Sequence, residues 1–281
     1  MTTVYGIFGW PVAHSLSPAM HNAAFHALGL DSVYVPFAVP PERLAQAVGA
    51  IVHLELKGVN LTLPHKHAAL GMLDEVEETA RLIGAVNCIS HDGGRLVGFN
   101  TDAPGLVRAL EAEQISVSHS QVAVIGAGGA ARAAVVGLAQ AGASQIAVLA
   151  RRFEQAERLV AELRPQLNAT LVAADLLSAS QDILEHSQLV IQASSATLHD
   201  DQQAQAFVSQ LRLATLPSTA VIVDLVYSPT GTALSNAAAA RGLRAFDGRG
   251  MLLHQGAIAF ERWVGQPAPL STMQAQLTAF F

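Results

Sequence analysis

Val122-Ala123-Val124-Ile125 runs directly into Gly126-Ala127-Gly128-Gly129-Ala130-Ala131, and an alanine-rich stretch follows as far as Ala141. The four apolar residues read as a buried parallel strand, and the stretch after Ala130 reads as a helix. Between them Gly126 permits a tight turn, Gly128 lets a pyrophosphate approach the backbone, and Ala131 lets helix and strand pack closely. The helix N-terminus then faces phosphate. Strand, glycine turn and helix in that order predict a dinucleotide-binding unit; the bland alternative is a plain glycine turn. The next strand, Ile146 to Leu149, ends in Ala150-Arg151-Arg152, where an Asp or Glu would be needed to hydrogen-bond a free ribose 2′-hydroxyl. Two guanidiniums suit a 2′-phosphate, so NADP is expected rather than NAD. The competing reading makes Arg151 and Arg152 the solvated opening of a helix that continues through Glu154 and Glu157.

Outward from this unit, short β-branched runs alternate with alanine-rich helical stretches along the whole chain, for example Val33-Ala38, Gly58-Leu63, Leu189-Gln192 and Val221-Val226. This alternation predicts an α/β fold with parallel sheets. A break near Thr101-Asp102, where Pro104 marks a helix start, divides the chain in two. Residues 1–102 form an N-terminal parallel-sheet substrate-binding and catalytic domain, and residues 103–247 a Rossmann-type doubly wound NADP domain. No strand is expected after Phe246, so a C-terminal helix within 248–281 returns to complete the first domain.

Composition excludes several function classes. Of 281 residues, 51% are hydrophobic and 14% charged, which suits a folded core and argues against disorder. A net charge of -6 and a pI near 6.0 lack the basic stripe of a nucleic-acid binder. The single cysteine, Cys88, rules out an intrachain disulfide and fits a reducing compartment. The N-terminus has no basic region leading into an apolar one, and Val122-Ala150 is interrupted by glycines, Arg132 and Gln140. A cytoplasmic protein without a membrane span is expected. The histidines, His65 and His67 included, lack metal-ligand spacing, so no metal is expected.

The N-terminal half carries the candidate substrate groups. Ser15 and Ser17 flank Leu16 and can both donate to a carboxylate, although Ser17 before Pro18 is equally a helix cap. In Gly58-Val59-Asn60-Leu61-Thr62-Leu63-Pro64, Asn60 and Thr62 share one strand face, a polar face where a buried strand would be apolar. Lys66 follows in the strand-to-helix turn, at the carboxyl end of the sheet where open α/β folds bind ligands, and is the prime catalytic candidate. Asn87 interrupts an apolar strand, Asp102 reads as a helix N-cap or a functional carboxylate, and Gln255 shares a helix face with apolar residues.

Taken together, His14-Ser15-Leu16-Ser17-Pro18, Asn60-Leu61-Thr62-Leu63-Pro64-His65-Lys66, Gly84-Ala85-Val86-Asn87, Asn100-Thr101-Asp102, the glycine turn, Asp224-Leu225-Val226-Tyr227 and Gly250-Met251-Leu252-Leu253-His254-Gln255 resemble the shikimate dehydrogenases of the shikimate/quinate dehydrogenase family, in order and over nearly the whole chain. The resemblance implies NADPH-dependent, reversible reduction of 3-dehydroshikimate to shikimate, with Lys66 and Asp102 as the catalytic pair. It implies Ser15, Ser17, Thr62, Asn87, Tyr227 and Gln255 as substrate contacts, with Asn60 beside them. It also implies Glu78, Gly126, Ala127, Gly128, Gly129, Ala130, Arg151, Arg152, Leu225 and Gly248 as cofactor-side positions. A small-molecule substrate is the expected partner, with no nucleic acid or membrane, and a homodimer is compatible with it. Other readings are a quinate/shikimate or aminoshikimate dehydrogenase, or a catalytically silent NADP-binding sensor. Three places depart from the family's pattern: Ala150-Arg151-Arg152, Gln192-Ala193-Ser194-Ser195-Ala196-Thr197, and Ala103-Pro104. In the second, a β-branched Thr197 stands where glycine is expected.

Overall fold

Residues 1–199 and 202–281 are described by a computed structural model. The chain divides into two compact units, residues 1–105 with 253–280 and residues 106–252 with Phe281, each built around a six-stranded sheet.

The first unit runs β1 (Thr3–Gly9), α1 (Ser17–Ala27), β2 (Ser32–Ala38), α2 (Leu44–His53), β3 (Gly58–Leu61), α3 (His65–Ala68), β4 (Glu75–Val76), α4 (Glu78–Ile83), β5 (Cys88–Asp92), β6 (Arg95–Phe99) and the start of α5 (Asp102–Ala112). Its strand order is β2-β1-β3-β5-β6-β4. β1 is parallel to β2 and β3, whereas β5 is antiparallel to both β3 and β6. The hairpin joining β5 to β6 turns on Gly93-Gly94, both at positive φ (55° and 85°), the conformation a two-residue turn requires. β2 is an edge strand: Asn22 of α1 donates to the Tyr34 carbonyl and accepts from its N–H, and Pro36 follows two residues later. Between α1 and the sheet lies an aromatic core in which Tyr5 stacks on both Phe25 and Trp263.

The second unit runs β7 (Gln121–Ile125), α6 (Gly129–Gln140), β8 (Gln145–Ala150), α7 (Phe153–Leu163), β9 (Thr170–Asp175), α8 (Ser180–Leu184), β10 (Leu189–Gln192), α9 (Gln202–Gln210), β11 (Val221–Asp224), α10 (Ala233–Ala239) and β12 (Arg244–Phe246). All its ladders are parallel, in the order β12-β11-β10-β7-β8-β9. The strands are near-continuous apolar runs because both sheet faces are covered. Strands are added outward from β7 to β9 on one side and then, from β10, on the other, so the carboxyl ends of β7 and β10 form the switch point at which such sheets hold ligands. After Phe246 come only α11 (Arg249–Val264) and α12 (Leu270–Thr278) among the described residues, and α12 packs on α1 in the first unit.

Candidate active site

Lys66 lies in α3, a single turn entered from β3 through Thr62-Leu63-Pro64. The turn is pinned at several points: Val86 N–H donates to the Lys66 carbonyl at 2.8 Å, the His65 ring to the Val39 carbonyl and the His67 ring to the Gly84 carbonyl, each also at 2.8 Å. His65 is buried, so it serves the backbone rather than solvent. So held, Lys66 Nζ donates to Asp102 Oδ2 at 2.6 Å, with side-chain exposures of 29% and 13%. The other carboxylate oxygen of Asp102 accepts from Asn87 Nδ2 at 2.8 Å. Asn87 in turn accepts the Thr101 N–H at 2.7 Å and donates to Thr101 Oγ1. One charged pair is thereby fixed in orientation by an amide that has no rotational freedom left.

Asp102 is not the cap of α5. It is the first helical residue, and Asn100 Oδ1 accepts from the N–H groups of Asp102 and Ala103, leaving the Asp102 carboxylate to Lys66 and Asn87. A similar exchange occurs at α1, where Ser15 Oγ accepts the Ser17 N–H and Ser17 is the first residue of the helix. Ser17 is buried and hydrogen-bonds the Tyr34 phenol. Tyr34 donates to Asn60 Oδ1 at 2.7 Å, and Asn60 donates to the Asn87 carbonyl at 2.9 Å. Burial drives the Tyr34 phenol well above its ordinary range, the nearby Cys88 adds to this, and the Ser17 hydrogen bond partly offsets it. His21 stacks on Tyr34 at 4.4 Å with the rings 3° from parallel, and burial pushes its imidazole down to about 3. Gln255 accepts from Thr101 Oγ1 at 3.4 Å, and its backbone packs so closely on Gly105 that a Cβ there would meet it at 2.8 Å. Ser15, Ser17, Asn60, Thr62, Lys66, Asn87, Asp102 and Gln255 all belong to the first unit, as does the exposed Glu78 at the start of α4.

In the second unit, Gly126 has φ +118°, and a Cβ on it would stand 3.0 Å from the Ala193 carbonyl oxygen. At Gly128 and Gly129 a Cβ would meet nothing within 4 Å. No side chain caps α6, so its first N–H groups are open to a ligand. Arg151 and Arg152 are exposed between β8 and α7, and neither forms an ion pair with Glu154 or Glu157. Gly248 donates to the Val226 carbonyl and packs against Leu225, and the Tyr227 ring meets Phe281 edge-on at 5.7 Å. Among the described residues no three His, Cys, Asp or Glu side chains converge, and no helix is long and apolar enough to cross a membrane.

Family models match most of the chain: the shikimate dehydrogenase substrate binding domain over residues 7–89, shikimate/quinate 5-dehydrogenase over 109–228, and the shikimate 5′-dehydrogenase C-terminal domain over 248–278. The chain belongs to the shikimate dehydrogenase family. A shikimate dehydrogenase (NADP(+)) of Desulforamulus reducens is 42% identical over 279 residues, covering 97% of this chain and 94% of that protein. The Thermus thermophilus shikimate 5-dehydrogenase, solved with NADP(H) and shikimate, is 36% identical with a TM-score of 0.86 and full coverage of both chains. A 5-ketofructose reductase of Gluconobacter, solved ligand-free, is 34% identical with a TM-score of 0.89, covering 100% of this chain and 99% of that one.

Against the family's pattern, Thr197 needs no left-handed backbone: it lies in a short 3₁₀ turn, Ser195–Thr197, whose cap is the Ser194 hydroxyl. The strain expected for a β-branched residue there is therefore absent. Tyr34, Asn100 and Thr101 are structural partners of this shikimate dehydrogenase family site that the sequence reading did not single out for a role. Tyr34 sits in an apolar strand, where a phenol passes for core, and its contact with Asn60 spans 26 residues.

Proposed function

We propose that this protein catalyses the reversible, NADPH-dependent reduction of 3-dehydroshikimate to shikimate. The observation that carries the reading is the Lys66–Asp102 ion pair, a proton-bearing ammonium held by a carboxylate whose second oxygen is fixed by Asn87. On this reading Lys66 Nζ gives a proton to the substrate oxygen as the carbonyl carbon is reduced, and takes one back in the oxidative direction. Asp102 orients the ammonium. Ser15, Ser17, Asn60, Thr62, Asn87, Tyr227 and Gln255 contact a substrate rich in hydroxyls and bearing a carboxylate, which their hydroxyl and amide groups suit.

An NADP site fits the second unit's own features: open space at Gly128 and Gly129, an uncapped α6, and two exposed arginines at the end of β8. Gly126, Ala127, Gly128, Gly129 and Ala130 would cradle the pyrophosphate, Arg151 and Arg152 the 2′-phosphate, and Leu225, Gly248 and Glu78 the remaining cofactor surface. When bound, the nicotinamide supplies the hydride. The compartment on this reading is the cytoplasm, and a homodimer is the assembly to seek by light scattering.

The test is initial-rate oxidation of shikimate and of quinate, each with NADP and with NAD. Turnover concentrated on shikimate with NADP is expected. Comparable quinate turnover would replace the reading with a broader dehydrogenase, and no turnover with any pair would leave a silent nucleotide binder.

A further inference from the structure

Beneath the carboxyl ends of β10 and β11 lies a buried polar cluster that the proposed reaction does not use. Gln192 and Asp224 are fully buried, with Thr197 and Thr232 nearly so. The Gln192 side-chain amide pairs with Ser194 as a neighbouring strand would: Oε1 accepts the Ser194 N–H at 2.6 Å and Nε2 donates to the Ser194 carbonyl at 3.0 Å. The same nitrogen also donates to Thr197 Oγ1 at 2.8 Å and approaches Asp224 Oδ1 at 3.3 Å. Asp224 Oδ1 accepts the Val226 N–H at 3.1 Å, the Thr197 and Thr232 hydroxyls lie beside the carboxylate, and its Oδ2 is buried without a hydrogen-bond partner among the described residues. Burial raises the Asp224 carboxyl above its usual range, and these donors work against the rise.

The cluster is joined to the glycine turn through the backbone. Ala193 N–H donates to the Ile125 carbonyl at 2.8 Å, and the Ala193 carbonyl faces Gly126 so closely that a Cβ there would stand 3.0 Å from its oxygen. The Gln192 carbonyl accepts the Leu225 N–H at 2.8 Å. A single buried amide therefore sets the path of residues 193–197 behind the Gly126 turn and is tied to the segment carrying Leu225. Its polar atoms have no other employment, and a buried amide left unpaired would be costly.

We infer that Gln192, through Ser194, Thr197 and Asp224, is a positioning residue for the nucleotide site, holding the 193–197 loop against the Gly126 turn. The inference rests on the reading of that turn as the NADP site. It acts on cofactor affinity because the loop supports the backbone that approaches pyrophosphate, while the Lys66 cluster lies on other elements of the chain.

Calorimetric titration of NADP+ into the full chain, with steady-state kinetics in parallel, tests it. Gln192→Leu keeps the approximate volume and removes the amide, and NADP+ is expected to bind about tenfold more weakly, the scale of one buried hydrogen-bond pair. The shikimate KM and the kcat at saturating NADP+ should stay within about twofold. Thr197→Val, a change nearly neutral in shape, should give a smaller loss of about threefold and serves if the Leu variant does not fold. Gln192→Asn keeps the amide and should recover part of the affinity. Unaltered NADP+ binding in both Gln192→Leu and Thr197→Val would overturn the inference, as would a parallel loss of NADP+ and shikimate affinity, the mark of general loosening. Absence of NADP+ binding by the unmodified chain would instead remove the underlying cofactor reading, and the inference with it.

Discussion

Lys66 and Asp102 are joined at 2.6 Å across 36 residues of chain, one from the single turn after β3 and the other from the first residue of α5. Each is held on its far side, Lys66 by the Val86 N–H on its carbonyl and Asp102 by Asn87 on its second oxygen. Lys66→Ala should lower turnover by at least about 10²-fold, the scale of a proton-transfer group. NADP+ affinity should hardly change. Turnover near that of the unmodified enzyme would show that the proton comes from elsewhere.

Ser15 and Ser17 stand in the approach to α1, with Ser15 Oγ on the Ser17 N–H. Replacing both by Ala should raise the shikimate KM by about tenfold or more while leaving the NADP+ dissociation constant alone. A KM that does not move places the substrate carboxylate at other residues.

Arg151 and Arg152 carry exposed guanidiniums that form no ion pair among the described residues. Arg151→Ala/Arg152→Ala should weaken NADP+ by roughly tenfold or more, as expected for losing charge-assisted contacts to a phosphate. The same change should scarcely affect NAD+. Equal losses for the two nucleotides would mean that the arginines do not read the 2′-phosphate.

His21 is fully buried, neither ring nitrogen has a hydrogen-bond partner, and its imidazole titrates near 3 in the folded chain. In the unfolded chain it titrates near its ordinary value of about 6.5. Between those values the unfolded state carries the extra proton, so stability is complete above about pH 6.5 and falls as pH drops, by up to about 1.4 kcal/mol per unit. Thermal melts of the native chain and of His21→Phe from pH 7 to pH 4 check this. The slope of Tm against pH should be shallower in the variant, and identical slopes would assign the acid sensitivity to other groups.

Gly248 packs on backbone: a Cβ there would lie 2.2 Å from the Leu225 carbonyl oxygen. Because that oxygen cannot swing aside as a side chain could, Gly248→Ala should cost about 2 kcal/mol or more in stability. A melt with unchanged Tm would mean that the Leu225 segment shifts freely.

What the sequence made legible was local chemistry. The turn at Gly126 could be read because strand, glycine and helix are contiguous, and the observed β7 and α6 are those expected there. The hairpin at Gly93-Gly94 went unread, because β6 that follows it, Arg95-Phe99, mixes charge with apolar residues, and its antiparallel pairing with β5 is a sheet property rather than a run of residues. Ser17 and Asp102 each read as a helix cap or as a functional group, and the capping hydrogen bonds come instead from Ser15 and Asn100, two residues earlier. Either arrangement satisfies the same short motif, and only three-dimensional placement frees Asp102 for Lys66. Tyr34 and Gln192 were invisible as polar partners because their contacts run to groups whose positions the whole fold determines.

In the first sheet, Val39 donates inward to Gly9, so the alternate residues of β2 present their backbone to the outside. At Tyr34 both outward groups are already taken by Asn22, and at Pro36 there is no N–H to offer. This edge is therefore a poor template for an incoming strand from another chain. Fibrillar stacking is discouraged along that side, and association between copies across this edge would rely on side-chain surfaces instead of a continuous backbone ladder.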